Sequence, residues 1–218
     1  MENQKNFENV RKINMAVCLL SVVLGLSAVV YKVNYEGGFL TCFREMTFSG
    51  SVFTMLVALA VCFKNGAELS KKTAIRSAVV YYFHLSSAVV GAIILLVTLI
   101  GTLPIFPDKP LFARYDMAIM HVLLPLMTMA SFVFADAPIG KIRAKDRLNG
   151  LIFIVLYAVT MVLLILLNVI PENKIPYSFL NVRHISPLYL GVAIVVIFGS
   201  GYLFSWLFSS LNRRFSKA

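Results

Sequence analysis

Apolar residues along this chain come in six long blocks, which short polar connections separate. A helix needs about 20 apolar residues to cross the hydrocarbon core of a bilayer, and each block reaches or approaches that length. The pattern predicts an all-α polytopic membrane protein in which a single domain, residues 1–218, contains six transmembrane helices. The predicted spans are Ile13–Val33, Thr47–Phe63, Ser77–Leu103, Met117–Ala135, Gly150–Ile170 and Pro187–Phe208.

Lysine and arginine are distributed unevenly among the connections between these spans. The two tails and the second and fourth connections hold 14 of them, and the other three connections hold six. Because short cytoplasmic loops are enriched in Lys and Arg, this bias predicts that both termini lie in the cytoplasm. It also accounts for the net charge of +10, and no basic run with interleaved aromatic residues indicates nucleic-acid binding.

The composition supports a membrane protein and gives no sign of a cofactor. Charged residues make up 14% of the chain, whereas soluble domains carry about 25%. Cys18, Cys42 and Cys62 form no C-x-x-C pair, so the sequence indicates neither a disulfide framework nor a zinc site. No carboxylate cluster or glycine-rich phosphate loop is present, and we expect neither a metal nor a cofactor.

Ionisable residues inside the predicted spans are few. No Asp, Glu, Lys or Arg falls in the middle of any span, which argues against proton pumps and ion-coupled transporters. His84 is predicted near the inner face, where a hydrogen-bonded role in helix packing is favoured. His121 is predicted near the outer face. Since the two depths differ, a haem clasped by both histidines is a minor alternative.

The surroundings of His121 indicate a site inside the bundle. Pro125 has no N–H, so the carbonyl of His121 loses its usual helical partner and must face protein or a water-filled cavity. Thr47 begins the second span at about the same outer depth. Thr47, Ser51 and Thr54 share one helix face, which is also compatible with simple packing of small residues.

A threonine and a histidine at one depth are the parts of a hydrolase. An imidazole within hydrogen-bonding distance can accept the proton of a hydroxyl as the oxygen attacks an ester carbonyl. The same imidazole can then protonate the leaving alcohol. On these residues Thr47 is a candidate nucleophile and His121 a candidate general base and acid, near the depth of a lipid ester bond, and a purely structural role for either residue is the alternative.

Three short motifs resemble the androgen-induced and androgen-dependent integral membrane proteins and their bacterial relatives. They are the aromatic approach Phe43–Thr47, an H-x-x-x-P-L pattern at His121, Pro125 and Leu126, and a Pro-Tyr-x-Phe-Leu stretch at Pro176, Tyr177, Phe179 and Leu180. The resemblance implies a six-helix threonine hydrolase of fatty acid esters of hydroxy fatty acids, in a bacterial plasma membrane. Thr47 and His121 match the nucleophile and its partner.

Further residues are predicted to belong to the site because they lie at the outer side of the predicted helices. Ser51, Pro125, Tyr177 and His184 are predicted to contact the substrate, which is a lipid or another fatty-acyl ester, with membrane lipids around the protein. Relatives often carry Asn or Asp after the threonine, where this chain has Gly50 and Ser51, so a third catalytic residue is unassigned. The alternative function is a non-catalytic lipid- or solute-binding protein or a small transporter. The sequence does not decide whether the acyl group goes to water or to another lipid, and it does not give the oligomeric state.

Overall fold

A computed structural model of the protein describes residues 2–102, 114–140, 142–177, 180–181 and 184–215. These residues form seven helices and no strand. The helices are α1 (Glu2–Glu36), the short α2 (Phe39–Phe43), α3 (Met46–Lys71), α4 (Ala78–Leu96), α5 (Tyr115–Ala135), α6 (Ala144–Leu166) and α7 (Pro187–Phe215). A π-helix, Val97–Thr102, continues α4, a second π-helix, Ile119–Leu123, lies within α5, and α6 begins with a 3₁₀ segment, Ala144–Leu151.

Six of these helices, all except α2, are long and apolar enough to cross a membrane. This confirms the predicted multi-pass helical architecture. The bounds differ at several ends: α3 continues past Phe63 to Lys71, α6 ends at Leu166 rather than Ile170, and α7 continues to Phe215. The predicted end of the third span, Leu103, lies outside the described residues.

The helix α4 is central and α7 is peripheral. Buried residues make up 67% of the most apolar window of α4 but only 11% of that of α7. The first part of α1 and the last part of α7 lie at one end of the bundle, where Arg11 of α1 and Asn212 of α7 each contact the end of α5. We call this the termini end. The start of α3, the end of α4 and the start of α5 form the opposite, or cavity, end.

Hydroxyl groups and one glycine join the helices at mid-depth. The Ser87 hydroxyl of α4 donates to Thr54 Oγ1 of α3 (3.1 Å) and lies 3.2 Å from Thr128 Oγ1 of α5. A Cβ on Gly91 would lie 3.1 Å from Pro125 Cα, so the glycine lets α4 and α5 approach closely without displacing the Pro125 backbone. Small residues and interhelical hydrogen bonds are the usual means of helix association in lipid, where burial from water does not drive it.

A buried charged cluster joins four helices at the termini end. The Asp136 carboxylate, just after α5, accepts from Lys64 Nζ of α3 (2.6 Å) and lies 3.0 Å from His84 Nδ1 of α4. Glu68 of α3 pairs with Arg11 Nε of α1 (2.5 Å) and lies 3.9 Å from Lys64 Nζ. We name Arg11, Lys64, Glu68, His84 and Asp136 the charged cluster, and all five are buried.

This cluster corrects one result of the sequence analysis. Lys64 was expected in a polar loop beyond the second span, but α3 continues through Lys64 and Glu68 and turns both side chains inward. Burying a charge is costly unless it is paired and hydrogen-bonded, and here opposite charges compensate each other. Burial alone would raise the pKa of Asp136, but its hydrogen bond with His84 and the charge of Lys64 lower that pKa to about 2. His84 is buried and lies within hydrogen-bonding distance of Asp136, and its role in packing stays a prediction.

We expect Asp136→Asn to destabilise the protein by about 3–5 kcal/mol, because it leaves Lys64 buried without its closest anion. Equilibrium unfolding in mixed micelles measures the change. The matched control is Asp146→Asn, since Asp146 pairs with the exposed Arg143 and should change the midpoint little. If both variants unfold together with the wild type, the charged cluster does not stabilise the fold.

Candidate functional site

A cavity of about 480 Å³ lies at the cavity end of the bundle, between α3, α4, α5 and α7. Its polar lining is Glu45, Thr47, Thr98, His121 and Tyr177. The rest of its lining is apolar, and consists of Met46, Ile93, Ile94, Val97, Pro176 and Ile197. A mostly apolar cavity with a few convergent polar groups is typical of small-molecule and cofactor sites. The structure therefore places Thr47, His121 and Tyr177 around one cavity.

Two of the polar residues lie on widened helical turns. Thr98 belongs to the π-helix Val97–Thr102, and His121 belongs to the π-helix Ile119–Leu123. The second π-helix comes just before Pro125, whose missing N–H removes the ordinary donor to the His121 carbonyl. Single π turns inside α-helices are rare and occur frequently at functional sites. Here the two π turns carry side chains that bind each other.

The hydrogen bonds of Thr98 determine which nitrogen of His121 carries a proton. The Thr98 hydroxyl donates its single hydrogen to the Ile94 carbonyl oxygen (2.7 Å). Its oxygen also lies 2.8 Å from His121 Nδ1, so the hydrogen in this second bond must come from Nδ1. A neutral imidazole with a proton on Nδ1 keeps its lone pair on Nε2. His121 is thereby set up as a base at Nε2.

Thr47 lies in the first turn of α3 and is half-buried. Its hydroxyl makes no hydrogen bond to any residue that the structure describes, including His121. Both side chains line the same cavity, so one molecule of sufficient size in that cavity can contact both. Hydrogen bonds between catalytic groups are often long or absent before the substrate binds, and this arrangement is compatible with such a pair.

The segment before α7 is fastened across the start of α3 and brings Tyr177 to the cavity. The Met46 N–H donates to Tyr177 Oη (3.3 Å), and the guanidinium of Arg44 donates to the Lys174 carbonyl (2.8 Å). Tyr157 Oη of α6 in turn donates to the Arg44 carbonyl. Burial raises the pKa of Tyr177, so its phenol stays neutral near pH 7.

An ionic network runs beside the cavity at the same end. Glu45, which lines the cavity, accepts from Lys32 Nζ of α1 (2.8 Å), and Lys32 also pairs with Glu36 (3.0 Å). Arg114 lies between Glu36 (3.6 Å) and the buried Asp116 (2.8 Å). The carboxylate of Glu45 is therefore held by a buried cation.

Three predicted substrate-binding residues lie away from the cavity lining. The Ser51 hydroxyl donates to the Thr47 carbonyl (2.8 Å), a hydrogen bond within its own helix, and Pro125 packs against Gly91 of α4. His184 lies 3.2 Å from Glu172 at the surface, where its side chain is 66% exposed. The sequence predicted these three residues at the outer side, but it did not predict their direction around the helix axis. Phe179 of the third motif lies outside the described residues.

Sequence reasoning missed Thr98, Glu45 and Lys32. A signal for Thr98 existed, because a threonine near the outer end of the third predicted span lies at the depth predicted for His121. Lys32 was counted only among the charges of the first connection, and Glu45 was considered only as part of the Phe43–Thr47 stretch. Within the described ranges, no group of three or more His, Cys, Asp or Glu side chains could hold a metal ion.

Residues from all three short motifs meet at this cavity: Thr47 from the first, His121 from the second, and Pro176 and Tyr177 from the third. They come from separate parts of the chain and line one cavity only in the folded protein. No protein-family profile, curated protein or solved structure matches the chain. The chemistry of the cavity is therefore inferred from its own residues and from the motif resemblance.

Proposed function

We propose that the protein is a membrane-embedded threonine hydrolase that cleaves a fatty-acyl ester, with Thr47 as the nucleophile and His121 as general base and acid. The observation that supports this most is the hydrogen bond between His121 Nδ1 and Thr98, which leaves Nε2 as the proton acceptor in a cavity shared with Thr47. The resemblance to hydrolases of fatty acid esters of hydroxy fatty acids points to the same two residues.

The proposed reaction has two halves. As Thr47 Oγ1 attacks the ester carbonyl carbon, its proton moves to His121 Nε2, and the carbonyl oxygen becomes negatively charged. When the ester C–O bond breaks, the histidine returns that proton to the leaving alcohol, and the acyl group stays on Thr47. A water molecule then attacks the acyl-threonine with help from the same imidazole, which releases a fatty acid and restores the threonine.

The start of α3 offers stabilisation for the oxyanion. Thr47 is the second residue of α3, and the first N–H groups of a helix have no acceptor within that helix. Donors aimed at a developing oxyanion usually supply the largest single contribution to such catalysis. We assign this role to the N–H group of Thr47, which lines the cavity.

The orientation in the membrane is part of the proposal. The bias of Lys and Arg supports a cytoplasmic location for the termini end and an outer location for the cavity end. The ester bond of a lipid in the outer leaflet lies at that depth. The motif resemblance further supports a bacterial plasma membrane.

A non-catalytic lipid- or solute-binding protein or small transporter is the second candidate, and the charged cluster is the observation that favours it. Buried Lys64, Glu68 and Asp136 are residue types that ion-coupled transporters use. In this protein they pair with one another and do not line the cavity that contains Thr47. We therefore favour the hydrolase, with water as acyl acceptor and a second lipid alcohol as the alternative acceptor.

Covalent labelling tests the two catalytic residues. A fluorophosphonate probe bonds to an activated hydroxyl, so Thr47→Ala should abolish labelling of the purified protein. His121→Ala should slow labelling by about 10²–10⁴-fold, the usual contribution of a general base. The matched controls are Thr160→Ala, an exposed threonine of α6, and His184→Ala at the surface, and both should label at the wild-type rate. Unchanged labelling of folded Thr47→Ala and His121→Ala would refute the hydrolase.

The role of Thr98 is tested with two substitutions of similar size. Thr98→Val keeps the shape but removes the acceptor that holds Nδ1–H, so kcat for ester hydrolysis should fall about 10-fold or more while KM changes little. Thr98→Ser restores the hydroxyl and should restore most of kcat. If Thr98→Ser is as slow as Thr98→Val, or if only KM changes, Thr98 does not orient the base.

A further inference from the structure

A second cavity, of about 200 Å³, lies between α6 and α7 beside the first. Met46 and Ile197 line both cavities, so the two are neighbours that share a wall. From α6 the second cavity is lined by Tyr157, Ala158 and Val162, and from α7 by Leu190, Ala193 and Phe198. Of these side chains only Tyr157 carries a polar atom, and its hydroxyl already donates to the Arg44 carbonyl.

The lining limits what this second cavity binds. A polar or charged group placed there has no donor or acceptor to meet it, and burying such a group unpaired is unfavourable. The occupant must therefore be a hydrocarbon. The small side chains of Ala158 and Ala193 make the room for it.

The packing of α7 explains how such an occupant enters. The buried residues of α7 all lie in its second half, at Gly201, Ser205, Phe208, Ser209 and Asn212. In the first half, Val192, Val195 and Val196 are exposed, and Val195 is 72% exposed. The helix is thus held at the termini end and less packed at the cavity end, where its apolar side chains face lipid. Ile194, which lines the second cavity, is 47% exposed, so this cavity is open to the bilayer at that residue.

We propose that the second cavity binds the hydrocarbon chain of one acyl group, which enters sideways from the bilayer between α6 and α7, and that Ala158 and Ala193 limit its length. The shared wall of Met46 and Ile197 places the head of such a chain at the cavity of Thr47 and His121. The statement that this hydrocarbon chain belongs to the ester cleaved at Thr47 rests on the proposed function. The statement that the second cavity binds an alkyl chain does not depend on it.

The test uses Ala193→Phe, which fills the second cavity with a ring. Its matched control is Val195→Phe, which adds a ring of the same size on the lipid-facing side of α7. Rates are measured in detergent micelles with p-nitrophenyl butyrate and p-nitrophenyl palmitate. Binding is measured separately by photocrosslinking of a diazirine-labelled palmitic acid, with the modified residues located by mass spectrometry. Ala158→Leu is the second variant, used if Ala193→Phe does not fold.

We expect Ala193→Phe to lower the ratio of palmitate to butyrate hydrolysis about 10-fold or more, since overfilling a packed site excludes the longer chain. Crosslinks in the wild type should fall on α6 and α7 and should be lost in Ala193→Phe, whereas Val195→Phe should match the wild type in both measurements. Unaltered crosslinking and an unaltered ratio in folded Ala193→Phe would overturn the assignment.

The two measurements separate this inference from the proposed function. If hydrolysis depends on Thr47 but neither the ratio nor the crosslinks respond to Ala193→Phe, the assignment of the second cavity is wrong and the hydrolase stands. If no Thr47-dependent hydrolysis occurs but the crosslinks on α6 and α7 disappear in Ala193→Phe, the alkyl site stands without the hydrolase.

Discussion

The absence of water from the bilayer core requires every backbone N–H and C=O of the membrane-spanning segments to find a partner within the protein. That constraint explains why long helices dominate the fold. It also means that a change in helical geometry needs a structural reason. The π-helices Val97–Thr102 and Ile119–Leu123 are such places. Both border the same cavity, and each carries one member of the pair Thr98 and His121. Irregular backbone is therefore found where it borders a cavity.

Buried polar groups find their partners in different ways at the two ends of the bundle. At the termini end, opposite charges of the charged cluster compensate one another, and the Asn212 amide donates to the carbonyls of Phe132 and Asp136 (2.8 and 2.9 Å). These bonds hold α7 against α5. At the cavity end α7 is less buried, and the polar groups surround open space. A closely bonded end and a more open end on one set of helices support the proposed entry of an acyl chain from the bilayer.

The pair Thr98 and His121 resembles the orienting half of a hydrolytic triad, with one difference. A triad usually orients its histidine with a carboxylate. Here a neutral hydroxyl holds Nδ1–H, and its own proton is satisfied by the Ile94 carbonyl. A neutral partner avoids the cost of burying another charge in a low-dielectric surrounding. Glu45, which also lines the cavity, is instead neutralised by Lys32.

The sequence alone determined the six apolar helices and the common depth of Thr47 and His121, because depth follows from counting residues at about 1.5 Å of rise from the start of each apolar block. It did not determine direction around each helix axis, which depends on how neighbouring helices pack. Only the tertiary structure therefore turned Lys64 and Glu68 inward, committed Ser51 to the Thr47 carbonyl, left His184 at the surface and paired Thr98 with His121. Composition and length determine whether one helix can cross a bilayer, whereas a site is formed by side chains from several helices.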